Sequence, residues 1–262
     1  MRISKGKHPF LFYCFLCIIS GLISCNQMDL DGPTGEFMLV NMNTSLEDPV
    51  TFSFNGMKAN ASAIGYGSNS GYISIKNGNY DLELLDPEEA VLFQKAAISI
   101  GSGSYYTFLM FGQEELKTVL LKDQYHSSQQ AQVRFLNFVE TLPQLSLVSV
   151  TDSSIHPLFE DRAAESAQTA EEHGKFEVRD TGTVSITLME EVPDETTFPQ
   201  EPSDPEPSED PENPEDPEEP VDRGFLLAPQ QINMQAGMFY TIIASGQPGS
   251  AEYPLKLTVI TK

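Results

Sequence analysis

Short stretches of alternating apolar and polar residues, separated by turn residues, run through the chain from Phe37 onward. Val50-Thr51-Phe52-Ser53-Phe54 and Leu145-Ser146-Leu147-Val148 set apolar side chains on one face at period two, the pattern of half-buried strands. Tyr72-Ile73-Ser74-Ile75 and Tyr80-Asp81-Leu82-Glu83-Leu84 flank Asn77-Gly78. Phe176-Glu177-Val178-Arg179 and Val184-Ser185-Ile186-Thr187-Leu188 flank Thr181-Gly182. Alternation on both sides of a turn glycine predicts two hairpins, each with one buried face.

The same elements occur twice in the same order, which marks an internal repeat. Phe37-Met38-Leu39-Val40-Asn41-Met42 opens the first copy and Val133-Arg134-Phe135-Leu136-Asn137-Phe138 the second. The strongest agreement comes late. Gly103-Ser104-Tyr105-Tyr106-Thr107-Phe108-Leu109 precedes Gly112-Gln113, and Gly237-Met238-Phe239-Tyr240-Thr241-Ile242-Ile243 precedes Gly246-Gln247 at identical spacing. The expected fold is all-β: two tandem, separate, immunoglobulin-like antiparallel β-sandwiches. The expected domains are 36–124 and 131–262, joined by a linker at 125–130. Tyr106, Phe108, Tyr240 and Ile242 are expected in central strands.

The second copy is longer in two places. One is Ser153 to Gly174, where Arg162 to Ala167 suggests a short helix. The other is 193–222, whose 30 residues hold 9 prolines and 13 acids. Proline fixes φ and removes a donor, like charges repel, and almost nothing apolar is available to bury. This segment is expected to be a disordered acidic Pro-rich insertion in the second sandwich. The first copy has only Asp86-Pro87-Glu88-Glu89 at the equivalent place.

The N-terminal segment has a different pattern. Arg2, Lys5 and Lys7 precede 14 residues from Phe10 to Ile23 that are mostly apolar. A bilayer span needs about 20 apolar residues, so the run is read as a secretory signal, residues 1–24. Leu22-Ile23-Ser24-Cys25 resembles a bacterial lipobox, which implies cleavage before Cys25 and lipidation of its sulfur, with residues 25–35 as a tether. Cys14 and Cys17 leave with the signal, so acylation also accounts for a single mature cysteine. Two acyl chains suffice for stable membrane attachment. Asn26 stands where some Gram-negative lipoproteins carry an inner-membrane retention aspartate. The expected location is the cell envelope, lipid-anchored at the outer membrane, with the cell surface and the inner face both open.

Loss of Arg2, Lys5 and Lys7 takes the formal net charge from −23 to −26. Such a surface repels nucleic acid and anionic lipid, so neither is an expected partner.

Four pieces of the repeat resemble a family of extracytoplasmic β-sandwich domains, the domain-of-unknown-function family 4397. They are Arg134-Phe135-Leu136-Asn137, the Gly-x-Tyr-x-Leu of Gly78 to Leu82, the Tyr-Thr pairs at 106–107 and 240–241, and Gly71-Tyr72. The second copy departs at Val184, where the first has Tyr80, and the first has Met38 where the second has Arg134. The resemblance implies the sandwich fold and a lipoprotein or cell-surface setting. The family has no established activity, so it implies none.

Catalytic constellations are not visible. His126, His156 and His173 are scattered in predicted loops without metal-ligand spacing. Gly101-Ser102-Gly103-Ser104 reads as a turn before a strand, and no Gly-x-Ser-x-Gly elbow occurs. Neither a cofactor nor a metal site is expected. Exposed Tyr66, Tyr72 and Tyr105 are the candidates for a ligand-binding surface. The expected function is a non-enzymatic binding or structural module, lipid-anchored in the envelope through Cys25. The alternatives are an accessory glycan-binding lipoprotein of an outer-membrane uptake system and a component of an adhesive surface assembly, with a glycan or an envelope protein as partner.

Overall fold

The computed structural model describes residues 32–46, 48–126, 128–151, 154–190 and 224–262. The signal segment, Cys25 and the acidic insertion lie outside the described residues. Seventeen strands and one short helix are present among those described.

Strands β1 (Thr34–Asn41), β4 (Ser68–Asn69), β5 (Ile73–Lys76), β8 (Tyr105–Phe111) and β9 (Lys117–Asp123) make one sheet in the order β4-β1-β8-β9, with β5 also on β1. Strands β2 (Thr51–Phe54), β3 (Met57–Lys58), β6 (Gly78–Leu85) and β7 (Val91–Ile100) make a second, in the order β3-β2-β6-β7. The C-terminal half repeats this plan. Strands β10 (Ala131–Asn137), β13 (Glu177–Arg179), β16 (Phe239–Ser245) and β17 (Lys256–Thr261) form a sheet ordered β13-β10-β16-β17. Strands β11 (Leu145–Val150), β12 (Ile155–Arg162), β14 (Gly182–Met189) and β15 (Gln230–Met234) form one ordered β12-β11-β14-β15. The all-β sandwich architecture expected from the sequence is present.

Three details differ from expectation. The sheets are mixed, because β1 pairs with β8 and β10 with β16 in parallel. The two predicted hairpins do not form. β5 pairs with β1 while β6 pairs with β2, and β13 pairs with β10 while β14 pairs with β11. At Asn77-Gly78 and at Thr181-Gly182 the chain crosses between the two sheets of a sandwich. Alternation and a turn glycine mark two strands, but neither marks the strand each will pair with. The short helix α1 spans Ala167–His173, later than Arg162 to Ala167. Ser166 is its N-cap, accepting from the Thr169 amide while Thr169 returns the bond.

Nor are the sandwiches separate. The sheets containing β1 and β10 pack against each other, so four sheets stack with three apolar layers between them. Phe37, Phe52, Phe54, Leu82 and Phe108 lie in the first core. Phe135, Leu147, Leu188 and Ile242 lie in the second. Between them, Met38, Val40, Leu109, Phe111 and Leu121 meet Leu136, Phe138, Ala170 and Ile243. The central strands β1, β8, β10 and β16 are therefore buried on both faces. In β8, Tyr106, Phe108 and Met110 point into the first core while Leu109 and Phe111 point at the other sandwich. In β16, Tyr240, Ile242 and Ala244 point into the second core while Ile243 points back.

Motifs shared by the copies have shared structural work. The Tyr106 hydroxyl accepts from the Gly101 amide, and the Tyr240 hydroxyl accepts from the Gln235 amide. Each tyrosine thus pins the turn before its own strand. Asn41 donates to the Ile64 carbonyl and accepts from the Asn43 amide; Asn137 does the same with Arg162 and Val139. Gly112 and Gly246 have φ of 108° and 96°. A Cβ there would stand 2.1 Å from the Glu115 carbonyl oxygen and 2.2 Å from that of Pro254, so only glycine fits. The two Gly-Gln turns meet across the interface, where Gln247 Nε2 donates to Gln113 Oε1 at 3.3 Å.

Candidate functional site

The interface has a charged centre. Arg134 points out of β10 toward the first sandwich and is 1% exposed, although Val133 and Phe135 on either side of it face the second core. Its guanidinium Nη1 lies 2.6 Å from Asp123 Oδ1, and the aspartate side chain is fully buried. The same nitrogen donates to the Gly174 carbonyl just past α1, at 3.0 Å. Nε donates to Thr241 Oγ1 at 2.8 Å, and Nη2 to Thr107 Oγ1 at 3.3 Å. Asp123 Oδ2 accepts from the hydroxyls of Thr107 and Tyr72. Phe176 lies 4.5 Å below the guanidinium carbon. A buried ion pair offsets its desolvation only when further hydrogen bonds satisfy both groups, and this one has them.

Around the pair stands an aromatic cluster. Tyr72, Tyr105, Tyr125, Phe176 and Phe239 meet mainly edge to face, with Tyr125 and Phe239 centroids 4.4 Å apart. The ammonium of Lys262 sits 3.4 Å from the centroid of Tyr105 and 4.2 Å from that of Tyr72. This is the arrangement of a cation–π cage, closed by the protein's own lysine. Burial, then the neighbouring Asp123 carboxylate, pushes the Tyr72 hydroxyl up to about 12. The same two causes raise the Tyr125 hydroxyl.

All three candidate tyrosines lie on the seam between the sandwiches. Tyr72 and Tyr105 belong to the cluster at one end, their faces covered by Lys262. Tyr66 lies with the Gly246 turn. Its hydroxyl is 3.1 Å from Ser245 Oγ, and Lys256 stands 4.1 Å over its ring. The structure thus brings Tyr72 and Tyr105 together and leaves Tyr66 with a different cluster. Of the histidines expected in loops, His156 lies in β12 and His173 ends α1, where it pairs with buried Glu165 at 2.9 Å. Among the described residues no group of three His, Cys, Asp or Glu side chains is placed to hold a metal ion, and no helix is long and apolar enough to cross a membrane.

Next to the charged centre lies an open cleft of about 540 Å³, absent from the sequence reading. It is walled by Lys122 and Gln124 of the first sandwich, His126 of the connector, and Gln132, Lys175 and Phe176 of the second. Its lining comes from segments far apart in the chain, and lysines and glutamines on strand ends carry no local pattern that marks a site. Arg134 did carry a signal, as a charged residue inside an apolar strand where the first copy has Met38.

The buried pair makes two measurable predictions. Asp123→Leu strands a buried guanidinium and should cost about 3–5 kcal/mol in denaturant unfolding. The double variant Asp123→Leu, Arg134→Met, which places the first copy's residue in the second, should lose less than Asp123→Leu alone. A double variant as unstable as the sum of its parts would contradict the assignment. The tyrosines set an alkaline limit. Tyr72 holds its proton more tightly folded than unfolded, so its contribution to stability is complete below the ordinary tyrosine value of about 10. That contribution is lost as pH rises through about 12. Unfolding midpoints measured across that window should fall more steeply for the native protein than for Tyr72→Phe; equal slopes would remove Tyr72 from the account.

No curated protein matches the chain. Residues 39–148, from within β1 to within β11, match the family described as Domain of unknown function (DUF4397), a stretch that contains both Asp123 and Arg134. Over this stretch the chain is similar to the DUF4397 family, in agreement with the resemblance its motifs carry.

Proposed function

We propose that this protein is a lipid-anchored envelope protein that acts as a rigid, non-enzymatic binding or structural module. The observation that carries the reading is the buried Arg134–Asp123 pair in a fully packed interface. Two sandwiches joined by a free linker would present two independent sets of loops. Two sandwiches locked face to face present one surface of fixed shape, suited to binding without a conformational step. Tyr125, within the connector, takes part in the lock through Tyr105 and Phe239.

The lipobox-like Leu22 to Cys25 supports the anchor, placed at the outer membrane. The strongly acidic composition supports a partner other than nucleic acid. A second reading, an accessory glycan-binding lipoprotein, is favoured by the cleft at the seam. Its amide, ammonium and aromatic groups are those that sugars use.

The anchor is tested with Cys25→Ala in the host bacterium. The variant should incorporate no labelled fatty acid and should accumulate as uncut or soluble protein. Labelling equal to that of the native chain would remove the lipid anchor from the proposal.

A further inference from the structure

We infer that the cleft beside the Arg134–Asp123 pair is a binding site for a carboxylate-bearing sugar of monosaccharide size, an inference that rests on the binding-module reading above. In a chain with 38 acids and 15 basic residues, lysines are expected to be drawn into ion pairs. Lys117 pairs with Glu140 at 2.7 Å, and both Arg162 and Arg179 reach Glu177. Lys122 and Lys175, which reach the cleft from different sandwiches, have no ion-pair partner among the described residues. Both are exposed at its rim. Glu171 is the one acid of the lining, one helical turn before Lys175, and it makes no ion pair with either lysine. Two ammonium groups against one carboxylate leave a positive concavity on a negative protein, which concentrates small anions by focusing the field.

The rest of the lining asks for more than charge. Gln132 is 5% exposed. Its Nε2 donates to the His126 carbonyl at 2.7 Å, which fixes the amide and turns Oε1 into a free acceptor among the described residues. An acceptor held in place at the cleft suits a ligand hydroxyl, which inorganic anions such as sulfate lack. Phe176 supplies an apolar surface for the C–H face of a ring. Gln124 and His126 offer further polar partners at the rim. About 540 Å³ falls within the range of small-molecule sites and is ample for one sugar ring. Carboxylate, hydroxyls and an apolar ring face together describe a uronic-acid type sugar.

The site is also tied to the lock between the sandwiches. Gly174 lines the cleft and gives its carbonyl to Arg134. A Cβ at Gly174 would stand 2.6 Å from the Ala170 carbonyl oxygen and 3.0 Å from Leu121, so the two sandwiches touch here at glycine distance. The lysines are held at a fixed separation because their sandwiches are.

The test is calorimetric titration of the full chain in detergent with glucuronate, glucose and inorganic phosphate. Glucuronate should bind, glucose about tenfold more weakly or worse, and affinity for glucuronate should fall as salt rises. Lys122→Ala with Lys175→Ala should weaken glucuronate about tenfold or more with the melting temperature unchanged, since both residues are exposed. Gln132→Leu should weaken glucuronate but leave any phosphate binding as it was. Phosphate binding as tight as glucuronate would reduce the cleft to a plain anion site and overturn the sugar assignment. Glucuronate binding unchanged in the double-lysine variant would overturn the location. If a glycan screen then finds ligands for the chain elsewhere, the cleft fails while the binding-module reading stands. If the screen finds none, the glycan reading fails with it.

Discussion

A guanidinium buried between two β-sheets is costly unless everything around it is in place, and Arg134 sets that condition for this molecule. Its charge is met by Asp123 from the other sandwich at 2.6 Å, and its remaining donors by Thr107, Thr241 and Gly174. These partners come from β8, β9, β16 and the end of α1. All of them must be in register for the pair to be satisfied. The surrounding layer of Met38, Val40, Leu109, Leu136 and Ile243 is apolar and non-directional, and would tolerate sliding. On this account the apolar layer supplies affinity between the sandwiches and the ion pair supplies their register, a division of labour seen where a buried polar group selects one packing among several.

The asymmetry is informative because the repeat is otherwise close. Thr107 and Thr241 occupy equivalent places in β8 and β16, and both serve the network. Met38 and Arg134 occupy equivalent places in β1 and β10, and Asp123 and Lys262 equivalent places at the ends of β9 and β17. One copy contributes the anion and the other both cations, Arg134 to the aspartate and Lys262 to the tyrosine cage. Two identical copies would place like against like across the seam. The difference at these positions lets the two halves pair with each other.

Much of the fold was legible in the chain. The alternation in Phe52 to Phe54 and in Leu145 to Leu147, and the repeated Tyr-Thr and Gly-Gln, located strands and turns within a few residues. Pairing partners were not legible, since the strand that meets β5 is set by the whole sandwich and not by Asn77-Gly78. The face-to-face stacking did leave a trace. Phe37 to Val40 and Tyr106 to Phe111 are nearly continuous apolar runs, the mark of strands covered on both faces. What covers the second face lies some hundred residues away in sequence and has no local signature. The same holds for the site. Tyr72 and Tyr105 are expected from the sequence as exposed aromatic residues but are half-buried, and their capture by Lys262 and Asp123 depends on strands from both sandwiches. The cleft is less visible still, because Lys122, Gln132 and Lys175 meet only once the halves have docked.

The central claim is that the two sandwiches behave as one cooperative body through the Arg134–Asp123 interface, and hydrogen exchange resolved by segment across a denaturant series tests it most directly. β8 and β16 should show the same opening free energy and the same denaturant dependence, merging into a single global unfolding event, because neither middle sheet survives with one face bare. Exchange of one of these strands through a separate, lower-energy opening, while the other stays protected, would contradict the account and return the molecule to two independent sandwiches on a tether.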